Sequence, residues 1–301
     1  MELVPTTAIT TREETALGPV IEERTREALE ASLAANTRRA YSTQWRLWSA
    51  WCSERDSRPL PASPESVAEY LVHRAGSSRL ATVQLGRSAI SWRHRSKGLP
   101  DPCATELVRS IVRGLERQIG QPRRQKGALT AEALGAIRAT CRDTLTLALV
   151  HVMADGGLRR SEAAALHWGD VAGWGDGSGR IVVRRSKTDV AGEGATVAVT
   201  SRTYRLLERL KDAQTPQDGG EDSVFGLSDS QIARRIKRAA LAAGLGDDFS
   251  GHSGRIGMAR RMASNAAPDS AIMRQGRWKS PGMVAAYTRG EAAGSALQYL
   301  R

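Results

Sequence analysis

Four short segments in the second half of the chain carry side chains suited to chemistry on an anion. They are Gly157-Leu-Arg-Arg-Ser-Glu162, Lys187 within Arg185-Ser-Lys-Thr188, Gly251-His-Ser-Gly-Arg255, and Trp278 with Tyr287 nine positions later. Arg159 and Arg255 are planar forks that stay charged and match pairs of anionic oxygens. His252 can give or take a proton near neutral pH, and Lys187 on a turn is a flexible proton donor. Trp278 offers an indole N–H that does not titrate. A tyrosine hydroxyl is a weak nucleophile at neutral pH, and one such as that of Tyr287 needs activation by its neighbours. Glu162 can orient Arg159 or tune the charge of the site, since a free carboxylate facing an anion would repel it. Each segment alone is ordinary: Gly-Leu-Arg turns, turn lysines and His-x-x-Arg pairs occur in many chains. Their specificity lies in their occurrence together and in order.

The composition names the kind of partner. The chain has 301 residues, enough for two modest domains, and 41% of them are hydrophobic, as in soluble globular proteins. Lys and Arg number 44 against 32 Asp and Glu, a net charge of +12, which points to a polyanion. Cys52, Cys103 and Cys141 match no zinc spacing, and their odd number suits no closed disulfide framework. They are expected to be reduced and mostly buried, in a reducing compartment. Residues 1–20 carry Glu2, Arg12, Glu13 and Glu14 with no apolar run, so no signal peptide is expected. No apolar stretch approaches the roughly 20 residues that span a bilayer. Gly175-Asp-Gly-Ser-Gly179 is a turn and not a phosphate loop, because no Gly-Lys-Ser/Thr follows. No carboxylates or histidines gather at metal spacing, so no metal and no cofactor are expected.

Several elements must position these residues. Residues 1–22 read as a tail and 23–120 as a helical domain. In it Tyr41, Trp45, Trp48 and Trp51 recur at helical spacing as one buried stripe, with Asn36 and Thr37 as N-cap candidates. Ser63 caps a second helix with Val67, Tyr70 and Leu71 inward. A third spans about 79–97, and a fourth about 104–118 with Leu107, Ile111 and Leu115 inward. Residues 121–127 belong to a Pro- and Gly-flanked basic run that reads as a linker. From 128 to 301 the pattern is mixed. Ile181-Val-Val-Arg-Arg185 and Ala195-Thr-Val-Ala-Val199 read as strands of a small antiparallel sheet. Helices are predicted at about 130–140, 143–155, 201–211, 229–243, 252–265, 268–275, 280–289 and 291–300.

The ordered set resembles the tyrosine recombinase (phage integrase) family. The resemblance is carried by Gly251-His-Ser-Gly-Arg-Ile-Gly-Met-Ala-Arg-Arg-Met-Ala263 and by Gly276-Arg-Trp-Lys-Ser280, with Trp278 where many members carry His. In the first domain it is carried by Trp48-Ser-Ala-Trp-Cys52 and His94-Arg-Ser-Lys-Gly-Leu-Pro100, so it covers about residues 25–300. It implies a mainly α fold with a small antiparallel sheet. A helical core-binding domain and a mixed α+β catalytic domain would form a C-shaped clamp on double-stranded DNA. It implies a catalytic group of Arg159, Lys187, His252, Arg255 and Trp278 around the nucleophile Tyr287, with Glu162 in support. It places Arg38, Arg39, Gln44, Gln84 and Arg87 of the first domain, and Gln231, Arg234, Arg235 and Arg238 of the second, toward DNA. It implies a dimer on one inverted-repeat site and a tetramer in synapsis, with residues 291–301 docking into a neighbouring subunit. A cytoplasmic, nucleoid-associated protein of a bacterium or phage is expected, with no membrane partner. Two rivals stay open on sequence: an inactive DNA-binding protein of the same fold, and a type IB topoisomerase.

Overall fold

The structure, a computed structural model, describes residues 33–120, 126–186, 192–214 and 222–296, with side chains as far as residue 289. The chain divides into two compact units, Met1–Arg123 and Arg124–Arg301. The sequence-predicted tail 1–22, most of the linker 121–127 and the end of the 291–301 segment fall outside the described residues.

The first unit contains α1 (Ala35–Ser53), α2 (Pro64–Ala75), α3 (Leu80–Ser96) and α4 (Glu106–Ile119). Its core forms where aromatic rings from α1 and α2 interlock. Trp48 and Trp51 stack with centroids 5.6 Å apart, and Tyr70 meets both edge-on. Such geometry adds to the area term of burial. Ser63 caps α2 through the Ser66 amide, as its position before Pro64 and Glu65 predicts. Three expectations need correction. First, α1 begins at Ala35, and Asn36 does not cap it; its side chain accepts from Arg39 instead. Second, Tyr41 and Trp45 are only half-buried, because they lean on Trp92 and Arg93 of α3 at the margin of the core. Third, Leu107 is exposed, since the inner stripe of α4 runs through Val108, Val112 and Leu115.

The second unit is mostly helical with one small sheet. In order come α5 (Ala131–Thr140), α6 (Thr144–Asp155), α7 (Arg160–Ala164), β1 (Val171–Gly173), β2 (Gly179–Val183) and β3 (Ala195–Val199). Then follow α8 (Ser201–Ala213), α9 (Asp229–Ala242), α10 (Ser253–Ser264), α11 (Asp269–Gly276) and α12 (Pro281–Ala296). The strands form an antiparallel meander, β1-β2-β3, with Ile181 opposite both Val171 and Val197. The sequence reading found β2 and β3 but not β1, which has three residues and ends in glycine. The centre of the unit is α6, whose Leu149, Val150, Val152 and Met153 are fully buried. A helix apolar on every side must be surrounded, and α5, α8, α9 and α10 pack around it. The helices predicted at 280–289 and 291–300 correspond to two helical stretches of α12 that meet at a non-helical Thr288 (φ −112°, ψ 15°). Among the described residues, no helix is long and apolar enough to cross a membrane.

Candidate active site

Two close backbone approaches set the geometry of the second unit. A Cβ on Gly254 would lie 2.3 Å from the Met153 carbonyl oxygen, and one on Gly257 would lie 2.2 Å from that of Leu129. Only glycine lets α10 press this near to the end of α6 and the start of α5. The reward is the position of Arg255 in the first turn of α10, 2% exposed. Its guanidinium donates to the Gly157 carbonyl and to the Gly276 carbonyl, each at 2.6 Å. Burial, with Arg159 and Arg277 nearby, pushes its pKa down to about 10, so it remains a cation at neutral pH.

The Gly156-Gly157 turn that follows α6 aims Arg159. Gly157 has φ +55°, and a Cβ there would also meet Met258 at 2.9 Å. Arg159 is the N-cap residue of α7, and the buried Glu162 sits one turn later. The Glu162 carboxylate accepts from the Arg159 amide at 2.8 Å and from Arg159 Nη1 at 2.7 Å. Of the two roles expected for it, the geometry gives Glu162 that of orienting Arg159.

His252 is the N-cap residue of α10, so it stands at the surface directly above Arg255 in sequence. Trp278 follows α11 and is 7% exposed, with the Arg255 guanidinium carbon 5.0 Å from its ring centroid. Tyr287 lies on α12, held by the buried Val284 and Thr288. Its ring stacks on Trp278 at 5.0 Å and 17°, and its hydroxyl is 2.7 Å from His252 Nε2. Six residues from three of the four segments, Arg159, Glu162, His252, Arg255, Trp278 and Tyr287, are therefore brought together. Lys187, placed in the chain between β2 and β3, lies outside the described residues. The approach to that connection is fixed by Arg184, whose Nε meets the buried Asp170 carboxylate at 2.6 Å.

Arg277 was missed by the sequence reading. It is a third guanidinium in this cluster, donating to Glu162 at 2.6 Å. Nothing in the sequence separates it from Arg274 or Lys279 beside it. Among the described residues, no group of three His, Cys, Asp or Glu side chains could hold a metal ion. The arrangement unites a phenol, a proton-accepting ring and three guanidiniums against one carboxylate. It can hold an oxyanion and present it to the phenol oxygen.

The residues expected to face DNA divide. Arg38 and Arg39 are exposed on α1, and Arg234 and Arg238 on α9. Gln44 is a correction: it is buried against Gly86 of α3, because α1 and α3 pack closely there. Gln84 donates to Glu116 at 2.7 Å, and Arg87 is half-buried. Gln231 accepts from the Ser228 amide as part of the α9 cap, and Arg235 pairs with Asp143 and Thr146.

Such a fold, with a stacked and hydrogen-bonded tyrosine among arginines, defines a class, and a family model agrees. Residues 128–293 match the model described as the phage integrase family, and the chain belongs to that family of tyrosine recombinases. It is 30% identical over 287 residues to an integrase/recombinase xerD homolog of Selenomonas ruminantium, covering 86% of this chain and 83% of the relative. It is 27% identical over 277 residues to the recombinase Cre of Escherichia phage P1, covering 81% of each. Its fold is similar to that of a lambda integrase tetramer solved on a Holliday junction. That match has a TM-score of 0.61 and 17% identity, over 89% of this chain and 78% of the other.

Proposed function

We propose that the protein is a site-specific recombinase that cuts and rejoins double-stranded DNA through a covalent bond to Tyr287. The phenol oxygen attacks the scissile phosphorus. The P–O bond to the 5′ oxygen breaks, and a 3′-phosphotyrosyl bond takes its place. Arg159 and Arg255 hold the non-bridging oxygens as charge builds on them, and the Trp278 indole supplies a further donor. His252 receives the tyrosine proton, and Lys187 protonates the departing 5′-hydroxyl. A 5′-hydroxyl from another strand then attacks the same phosphorus and releases Tyr287. One ester replaces another, so no ATP is consumed. The observation that carries this reading is the 2.7 Å contact between His252 Nε2 and the Tyr287 hydroxyl, on a phenol already stacked against Trp278.

In this reading both units bind DNA, and the basic run at residues 121–127 adds cations that favour a phosphate backbone. Arg38, Arg39, Arg234 and Arg238 are its outward cations. Two subunits occupy an inverted-repeat site and four form the synapse, with 291–301 of each docked into a neighbour. The relatives named as recombinases and the tetrameric neighbour on a junction support it. The test selects a binding site from random duplex DNA and builds a nicked suicide substrate from it. Wild type is expected to give a protease-sensitive shifted band on a denaturing gel, and Tyr287→Phe none. Specific binding without an adduct would leave an inactive DNA-binding protein. An adduct formed equally on any sequence would favour a topoisomerase.

A further inference from the structure

Arg277 is one of three non-glycine residues in the described chain with positive φ (φ 54°, ψ 49°). An L side chain crowds the next carbonyl in that conformation, and glycine would adopt it freely. The strain is matched by what the side chain reaches. The Arg277 side chain is 7% exposed and the Glu162 side chain 2%. One Arg277 nitrogen donates to Glu162 Oε2 at 2.6 Å and to the Gly157 carbonyl at 3.1 Å, and the other donates to the Gly156 carbonyl at 3.0 Å. The Gly157 carbonyl is the same one that accepts from Arg255.

We propose that Arg277 is a positioning residue: it neutralises Glu162 and clamps the Gly156-Gly157 turn, so that Arg159 and Arg255 are set for substrate. The role rests on the recombinase reading above. Glu162 divides its carboxylate, with Oε1 on Arg159 Nη1 and Oε2 on Arg277. Without Arg277, a buried carboxylate would have Arg159 as its sole ion-pair partner in this cluster. It would draw that guanidinium away from a phosphate. Arg277 itself touches no reacting atom in this scheme and acts through Glu162 and the turn.

The test measures single-turnover cleavage of the suicide duplex selected with wild type, over a range of protein concentrations. Arg277→Gly suits the backbone and removes the whole buried side chain, guanidinium included. It is expected to lower the maximal rate by about tenfold to about 10²-fold, the scale of a misplaced reacting group. The half-saturating concentration should stay close to that of wild type. Adding Glu162→Gln to Arg277→Gly should restore part of the rate, since the unbalanced carboxylate is then gone while the turn stays unclamped. A wild-type rate in Arg277→Gly would overturn the inference, as would a loss that Glu162→Gln does not reduce at all. Should Arg277→Gly not fold, Arg277→Lys is compared with Arg277→Gln; Lys must cleave faster, and equal rates would overturn the charge role. No adduct with wild type itself is a different failure, that of the recombinase reading on which this role depends.

Discussion

Protonation of His151 should loosen the platform that carries Arg159. His151 lies on α6, which ends at the Gly156-Gly157 turn; it is 4% exposed, and its Nε2 has no hydrogen-bond partner. Burial pushes its pKa down to about 4, the Asp155 carboxylate opposing and Arg138, Arg261 and Arg202 assisting. Between about pH 6.5 and about 4 the unfolded chain therefore binds a proton that the folded chain does not. Stability must fall as pH falls through that window and is fully present above it. About 2.5 pH units at about 1.36 kcal/mol each give a loss of about 3 kcal/mol. That is a sizeable part of a typical domain's stability. Urea unfolding of wild type and His151→Leu at about pH 7 and about pH 4.5 isolates this contribution. Asp155 is held below its usual range by Arg261 and three hydroxyl and amide donors, despite its burial, so it titrates below the window. The downward-shifted His94 acts with the same sign but is present in both proteins. Wild type should lose about 2–3 kcal/mol more than His151→Leu on acidification. Parallel losses in the two proteins would refute the reasoning.

Three other outcomes follow from the geometry. Gly257→Ala puts a methyl 2.2 Å from the Leu129 carbonyl, where backbone must yield. A loss of about 1–3 kcal/mol is expected, seen as a melting temperature lower by about 2–4 °C for each kcal/mol. Trp278→Phe keeps a ring beneath Tyr287 but deletes the indole N–H. DNA affinity should hold while the maximal cleavage rate falls by about 10²-fold, and an unchanged rate would remove the indole from the list of donors. Adduct formation in excess EDTA should equal that with magnesium, because guanidiniums and indole supply the donors to phosphate; strong inhibition by EDTA would show a metal-dependent step.

Much of the site was legible because its residues are of rare types in fixed local patterns. Glu162 could be read because a lone carboxylate beside an anion site must pair with a cation, and the structure gives it Arg159. The Ser63 cap was legible from its place before Pro64 and Glu65, whereas the Ser228 cap was not, because its partner Gln231 was read as facing DNA. Contacts made across the fold were not. Arg277 meets Glu162 from 115 positions away. Arg235 looked like an outward cation until α9 was set beside Asp143, 92 positions earlier. Gln44 looked polar and outward because periodicity alone does not show that Gly86 opens room for it. Leu107 was misplaced because 107/111/115 and 108/112/115 are both helical spacings, and the structure buries the second set.

The way the arginines are anchored matters more than their number. A buried cation held by a carboxylate would arrive at substrate already neutralised. Arg255 is held instead by two carbonyl oxygens, those of Gly157 and Gly276, which fix its plane and leave its charge intact. Each of the two nitrogens so engaged carries a second N–H by its chemistry, so anchoring does not exhaust the fork. The one carboxylate in the cluster, Glu162, is shared between Arg159 and Arg277. Three guanidiniums against one carboxylate leave an excess of positive charge beside Tyr287. An anionic phosphodiester relieves that excess on entering, and the charge gained in its transition state relieves it further. The energy stored in crowding like charges at the Gly157 turn is thus recovered most fully at the moment of reaction.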